Sequence, residues 1–424
     1  MRVVKLTSIT LILIAAIGMS AAAQSRTAFD QGVSQYSAKQ YEAAIQSFRQ
    51  HLVQVPNEAA AHYNIGLCLF NLDRYAEAIT AFKDAIRYKP DYPVAHRYLG
   101  STYYELKRYE EAVAAYKEAI RYKPDYVNAH IYLGNSLDYL KRYNEAIAAY
   151  MKALEYDPKN ASAYYEIGVA HYAQKNYTAA AEAYQKSIAL DPNGASALNN
   201  LGNCWEQLDR KPEAVTMYQA AIRADKDYEL AHSNLARLFN ELKRWNEAEV
   251  EYREVVRLTP SSHTAHTELG YLYNRRSATA EAIAAFNEAI RLKPDHASAH
   301  LGLGNTYYLL AQYGESIPHY QKAAELSPKW VTAHVYLGDA YLKTKQYAPA
   351  ISSYNAALGI DAKNVLAISG LGEVYVEQKQ LPLARKQYAA LQPLDATAAA
   401  ALLVKINAAT PKPGARRPAR RPSH

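Results

Sequence analysis

The chain has 424 residues, half of them hydrophobic and 11% aromatic, so apolar surface is ample. Its net charge of +7 sits at the ends: Arg2, Lys5, Lys412, Arg416, Arg417, Arg420 and Arg421 carry the excess and leave 41 basic against 41 acidic residues. A neutral body excludes a general polyanion-binding surface, and no specific contact with nucleic acid is expected.

Residues 1–23 read as a secretory signal. Arg2 and Lys5 precede an apolar run from Ile9 to Ile17, and Ala21 and Ala23 form an Ala-x-Ala cleavage pattern. The run is shorter than the ~18 apolar residues of a spanning helix. Cleavage after Ala23 is therefore expected over retention as an anchor, with export to the periplasm, the cell envelope or the medium. The first cysteine is Cys68, so no lipid-bearing cysteine follows the cut.

From Ser25 to Ala398 the sequence repeats every 34 residues, in eleven units. Leu-Gly with an aromatic or apolar residue three places later marks the period, as in Leu99-Gly100-Tyr103, Leu133-Gly134-Leu137 and Leu337-Gly338-Tyr341. Such a period means a stack of similar units, each packed on its neighbours, and leaves no stretch for a separate catalytic domain. Counting each unit from 1, position 8 is Gly in ten units and Ala236 in the other. Position 20 is Ala in ten, position 24 is always Phe or Tyr, and position 32 is Pro in eight.

These spacings predict two helices per unit. Positions 4, 7, 8 and 11 make one apolar stripe and positions 20, 24 and 27 a second. A short turn between them carries Lys or Arg and then Tyr, as in Lys107-Arg108-Tyr109. Pro90, Pro124, Pro158 and Pro192 stop second helices, because the residue before proline avoids the α region. Small residues at 8 and 20 leave room where the helices cross. Lys226, Ala362 and Ala396 replace the terminal proline, which predicts looser junctions, and Pro318 at position 22 predicts a local distortion. Pro212 and Pro382 fall in a first turn, where proline is tolerated.

The pattern resembles the tetratricopeptide repeat family: a large residue at 4, Leu-Gly at 7–8, Tyr at 11, Ala at 20, an aromatic at 24 and Pro at 32. The resemblance covers residues 25–398. It implies an all-α solenoid of about eleven helix pairs in a right-handed superhelix. The array would run over 24–398. A capping helix would start at Asp395 and end over 399–408, with Leu402, Leu403 and Ile406 on the last repeat, and a basic Pro/Arg-rich tail would follow over 409–424.

No motif supports catalysis. The chain lacks a phosphate loop ending in Lys-Ser/Thr, His-Glu-x-x-His, Gly-x-Ser-x-Gly and Cys-x-x-Cys. No enzyme activity, cofactor or metal is expected. His62, His96, His130, His232, His266, His300 and His334 recur at position 4, but one repeat separates neighbours, near ~10 Å. Zinc holds its ligand nitrogens at about 2.0–2.1 Å, so these rings read as packing. Cys68 and Cys204 lie four repeats apart, too far for a disulfide, and read as small buried hydrophobes.

In the resembled family, positions 2, 5, 9, 12 and 13 line a concave groove that binds ligands. Carried over, the early groove holds Phe29, Tyr36, Tyr63, Phe70, Tyr104, Tyr139, Tyr165 and Tyr172. The middle holds Asn199, Asn203, Glu206, Gln207, Arg237, Asn240, Glu241, Asn274 and Arg275, and Leu301, Tyr308 and Val335 follow. No repeat has Lys at position 5, so the family's clamp for a terminal carboxylate is not expected. The leading expectation is a non-catalytic exported scaffold holding a protein or extended peptide in this groove. Two others are an envelope module handling polysaccharide, with tyrosines stacked on sugar rings, and a weak contact of the basic tail with an anionic surface.

Overall fold

A computed structural model describes residues 25–410; the signal-like segment and the tail from 411 lie outside them. The described residues are helical throughout, without strands, and fall into two compact units, one through Lys226 and one from Asp227. Each unit is a stack of two-helix repeats. The boundary lies at Lys226, one of the three replacements of the terminal proline.

The register follows the sequence period closely. From repeat 2 onward, first helices occupy positions 1–13, from Ala59–Asn71 to Val365–Glu377. Second helices occupy positions 17–30, from Tyr41–Gln54 to Tyr347–Ile360. Pro318 does not shorten its helix, Tyr313–Leu326, which has the fourteen residues of its counterparts. The second helix of repeat 11 is shorter, Leu381–Leu391.

Position 15 sets the turn. It takes positive φ in all eleven repeats, from Lys39 to Lys379, and it is never glycine. The amide at 16 then donates to the carbonyl at 11, as Arg142 does to Leu137 at 2.8 Å, closing a Schellman-type cap. Position 16 is often Arg, paired with Glu at 19, as in Arg108 to Glu111 at 2.6 Å. These pairs are exposed and contribute little.

The ring at position 24 organises each repeat. Phe48, Phe82, Tyr116, Tyr150, Tyr184 and Tyr218 in the first unit are buried, as are Phe286, Tyr320 and Tyr354 in the second. Each lies flat on the bare backbone of Gly at position 8. A Cβ there would sit 2.7 Å from Tyr116 at Gly100, 2.3 Å from Tyr150 at Gly134 and 2.7 Å from Tyr354 at Gly338. The ring's other face meets position 6 of the next repeat: Tyr98 on Phe82 at 6.0 Å, Tyr132 on Tyr116 at 5.9 Å. At Gly302 and Gly370 a Cβ would touch the preceding ring at 2.3 Å. Full burial of each ring stabilises its pair by about 1.5–3 kcal/mol. Repeat 11 departs, since Gly372 faces Leu402 of the last helix, Ala396–Ala409. Asp395 caps that helix through the amides of Thr397 and Ala398, and Leu402 and Ile406 are buried beneath it.

The histidines at position 4 tie repeats together. Nε2 donates to the carbonyl at position 32 of the preceding repeat: His96 to Pro90 at 2.9 Å, His130 to Pro124 at 2.8 Å, His300 to Pro294 at 3.0 Å. His96 and His130 also stack on Tyr122 and Tyr156. His232 instead meets Glu251 through Nδ1 at 2.6 Å. Cys68 and Cys204 are free and buried, and burial pushes both thiols up to about 12, which leaves them unreactive at neutral pH. No described helix is long and apolar enough to cross a membrane.

Two substitutions test this account by urea unfolding followed by circular dichroism. Gly134→Ala should cost about 1–3 kcal/mol, because the Tyr150 ring must move. Ala311→Gly should add about 0.5–1 kcal/mol, since Ala311 holds φ at 58°.

Candidate functional site

Positions 5, 9, 12 and 13 lie on the first helices, and the core decides how much of each side chain remains available. Position 12 aromatics lean on the aromatic at 17 of the same repeat: Tyr36 on Tyr41 at 5.6 Å, Phe70 on Tyr75 at 5.5 Å, Tyr104 on Tyr109 at 5.5 Å and Tyr172 on Tyr177 at 5.2 Å. In the second unit Tyr308 leans on Tyr313 at 4.9 Å. At position 5, Tyr63 packs on Tyr98 and Tyr165 on Tyr184. Tyr184 is a buried core ring; the others are half-buried, and part of each belongs to the core. Tyr139 differs: it is 60% exposed and stacked on Tyr109 with centroids 4.7 Å apart.

The polar residues are more committed than their spacing suggests. Asn199 is buried, 3% exposed, and donates to Asn200 at 3.3 Å, which corrects its assignment to an open binding face. Asn203 and Glu206 accept from the Tyr218 hydroxyl, the former at 2.7 Å. Asn240 is also buried, and its oxygen accepts from Arg275 at 3.2 Å. Asn274 donates to the Gly302 carbonyl and accepts from Thr306 at 2.9 Å. For Asn203 and Glu206 the reason is the amphipathic tyrosine at 24, which brings its hydroxyl out beside positions 9 and 12, where a buried hydroxyl takes a partner. Tyr116 donates to Ser101, Tyr320 to Asn305 and Tyr354 to Asp339 in the same way. Arg237 and Arg275 are exposed.

Two cavities lie on this face, one in each unit. In the first, an open hollow of about 390 Å³ is lined by Tyr104, Asn135, Asp138, Tyr139, Tyr143, Tyr150 and Glu166, with Val169, Ala170 and Ala173. In the second, about 420 Å³ is lined by Tyr271, Asn274, Arg275, Asn305, Tyr308, Leu309, Tyr320, Tyr336 and Asp339. Of the expected residues, Tyr104 and Tyr139 meet in one, and Asn274, Arg275 and Tyr308 in the other. Tyr36, Tyr63, Phe70, Tyr165, Tyr172, Asn199, Asn203, Glu206, Arg237 and Asn240 line neither.

Sequence reasoning passed over Asp138, Glu166, Tyr336 and Arg97. Asp138 occupies position 12, where the eye follows aromatics. Glu166 and Tyr336 stand at position 6, outside the positions carried over. Arg97, at position 5, lies 3.7 Å over the Tyr98 ring, with Tyr126 and Tyr132 about it.

Models of the tetratricopeptide repeat match over residues 29–93, 131–195, 210–263, 171–233 and 331–364, and a further repeat model covers 100–137, 275–310 and 304–345. The chain belongs to the tetratricopeptide repeat family. Among solved structures, the C-terminal part of a repeat-containing protein from Cytophaga hutchinsonii is similar at 20% identity, covering 57% of this chain and 99% of that one with a TM-score of 0.48. YrrB, described as a tetratricopeptide protein with an unusual peptide-binding site, is 23% identical and covers 44% of this chain and 96% of its own, TM-score 0.38. Yeast Tom70 is 13% identical over 91% of this chain and 95% of its own, TM-score 0.41. No curated protein matches the chain.

Within the tetratricopeptide stack, the carboxyls of the smaller cavity are perturbed. Burial pushes Asp138 up to about 6, although the Tyr150 hydroxyl at 2.7 Å works the other way. Burial and then the charge of Asp138 push Glu166 up to about 7. In the second cavity burial raises Asp339, opposed by its bond from Tyr354. A carboxyl raised on folding favours the native state below its unfolded value and loses that contribution as pH rises through the folded one. For Glu166 the loss falls between about pH 4.5 and 7. Glu166→Gln should therefore match the parent at pH 4 and exceed it at pH 8, by on the order of 1–2 kcal/mol after allowance for partial exposure. Chemical denaturation at the two pH values measures this.

Proposed function

We propose that this protein is an exported, non-catalytic scaffold that holds an extended segment of a partner protein along the first-helix face of its repeats. The observation that carries the reading is the pairing of cavities with exposed anchors. Tyr139 rims the smaller cavity, while Arg275 and Leu309, the latter 63% exposed, rim the larger. Large exposed apolar and aromatic side chains beside concave pockets are the usual makings of an interaction hot spot. Family membership supports a role in protein interaction. Export rests on the signal-like pattern of residues 1–23.

First-helix side chains whose polar atoms are already satisfied cost little to desolvate, so the face suits a main chain laid across it with side chains entering the cavities. Selection of random extended peptides on the immobilised chain should yield binders. Replacing Tyr139, Arg275 and Leu309 together by alanine should weaken capture at least tenfold with helicity unchanged by circular dichroism. Unchanged capture, or wild-type binding of oligosaccharides in place of peptides, would overturn the reading. Amino-terminal sequencing of the exported protein should begin at Gln24.

A further inference from the structure

We propose that the smaller cavity is a receptor for one cationic side chain, the ammonium of a lysine or the guanidinium of an arginine, carried by the partner segment. This deepens, and rests on, the scaffold reading. The cavity lies among repeats 3, 4 and 5, with Tyr104 and Tyr139 as walls and Asp138 and Glu166 inside.

The argument starts from an imbalance of donors. The Tyr150 hydroxyl has one proton and faces two acceptors, Asn135 Oδ1 at 2.8 Å and Asp138 Oδ2 at 2.7 Å. Asp138 Oδ1 is buried and has no partner. No lysine or arginine lines the cavity. Among the described residues neither carboxyl forms an ion pair, although the chain pairs many exposed carboxylates with arginine. A buried acceptor without a donor is costly, and two like charges in one site raise each other's demand for a proton.

A cation answers both deficits, since ammonium brings three N–H donors and guanidinium five. The walls suit the same guest. Tyr104 and Tyr139 meet edge to face at 5.5 Å, and aromatic faces attract cations most strongly where water is excluded. A volume of about 390 Å³ admits one long side chain. An anionic or neutral guest would leave the carboxylates unpaired, so the chemistry selects positive charge. The other titratable groups around the carboxyls are phenols: Tyr104 of repeat 3, Tyr139, Tyr143 and Tyr150 of repeat 4, and Tyr184 of repeat 5. Cation binding then displaces protons from Asp138 and Glu166, and affinity rises with pH across the range in which they ionise.

The test is calorimetric titration of the full chain with hexalysine, hexaarginine and hexaglutamine peptides at low salt, at pH 5 and pH 8. The double variant Asp138→Asn with Glu166→Gln keeps side-chain shape, and its thermal unfolding verifies the fold. A control of equal charge change, Glu213→Gln with Glu281→Gln, alters exposed carboxylates elsewhere. Expected is binding of at least one cationic peptide, at least tenfold tighter at pH 8 than at pH 5, with no binding of hexaglutamine. The cavity variant should lose tenfold or more at pH 8 and most of the pH dependence, while the control stays within twofold of the parent. Hexalysine against hexaarginine separates ammonium from guanidinium. Absence of cationic binding, or equal losses in variant and control, overturns the inference; the scaffold reading then stands if selected peptides still need Tyr139, Arg275 and Leu309. If no selected peptide binds at all, the scaffold reading falls, and the assignment to a partner's side chain falls with it.

Discussion

The contact on which the structure depends is that between the aromatic ring at position 24 and the bare backbone at position 8. Gly134 admits the Tyr150 ring so closely that a single added carbon would overlap it. This approach sets the spacing of the two helices in a repeat. The ring's opposite face then receives position 6 of the next repeat, as Phe82 receives Tyr98. One side chain thus fixes both the pair and the stacking of pairs. The requirement recurs every 34 residues, so the sequence cannot drift far from Gly at 8 and Phe or Tyr at 24.

The choice of tyrosine over phenylalanine carries the core out to the surface. Where the ring is Tyr116, Tyr150, Tyr218, Tyr320 or Tyr354, its hydroxyl reaches polar atoms at position 9, and at Tyr150 and Tyr218 also at position 12. Those positions would otherwise be free for a partner. Polar composition there is partly a consequence of packing, and it cannot be read directly as a recognition code. Where acceptors exceed the single phenolic proton, as at Asp138, the surplus becomes chemistry open to a guest. The position-4 histidines show the same economy, with Nε2 spent on a carbonyl one repeat back.

How much of this was legible follows from what periodicity records. Helix limits, the turn and the close approach at Gly100 or Gly338 are repeated events, and repetition makes them visible. The last helix was legible from Asp395 and the spacing of Leu402 and Ile406. At Pro318 the helix keeps its fourteen residues, so whatever the proline does there is not a change of length. The site was harder to see because its residues are single departures from the repeat: Asp138 among position 12 aromatics, Glu166 among position 6 residues that vary freely. A pattern of five groove positions places Tyr104 and Tyr139 on the right face, but their meeting with a carboxylate from the following repeat depends on stacking. Asn199 and Asn240 illustrate the converse, polar residues at carried-over positions that turn out buried.

A phenol whose ring is core and whose oxygen stands at the rim is an optical instrument. Near-ultraviolet absorption and emission of tyrosine depend on what its oxygen binds, and Tyr150 is held in a rigid, water-poor setting with that oxygen on Asp138. A guest that draws Asp138 away changes the chromophore without any label being attached. A difference spectrum isolates that change, because the rest of the 38 tyrosines and the three tryptophans contribute the same background with and without the guest.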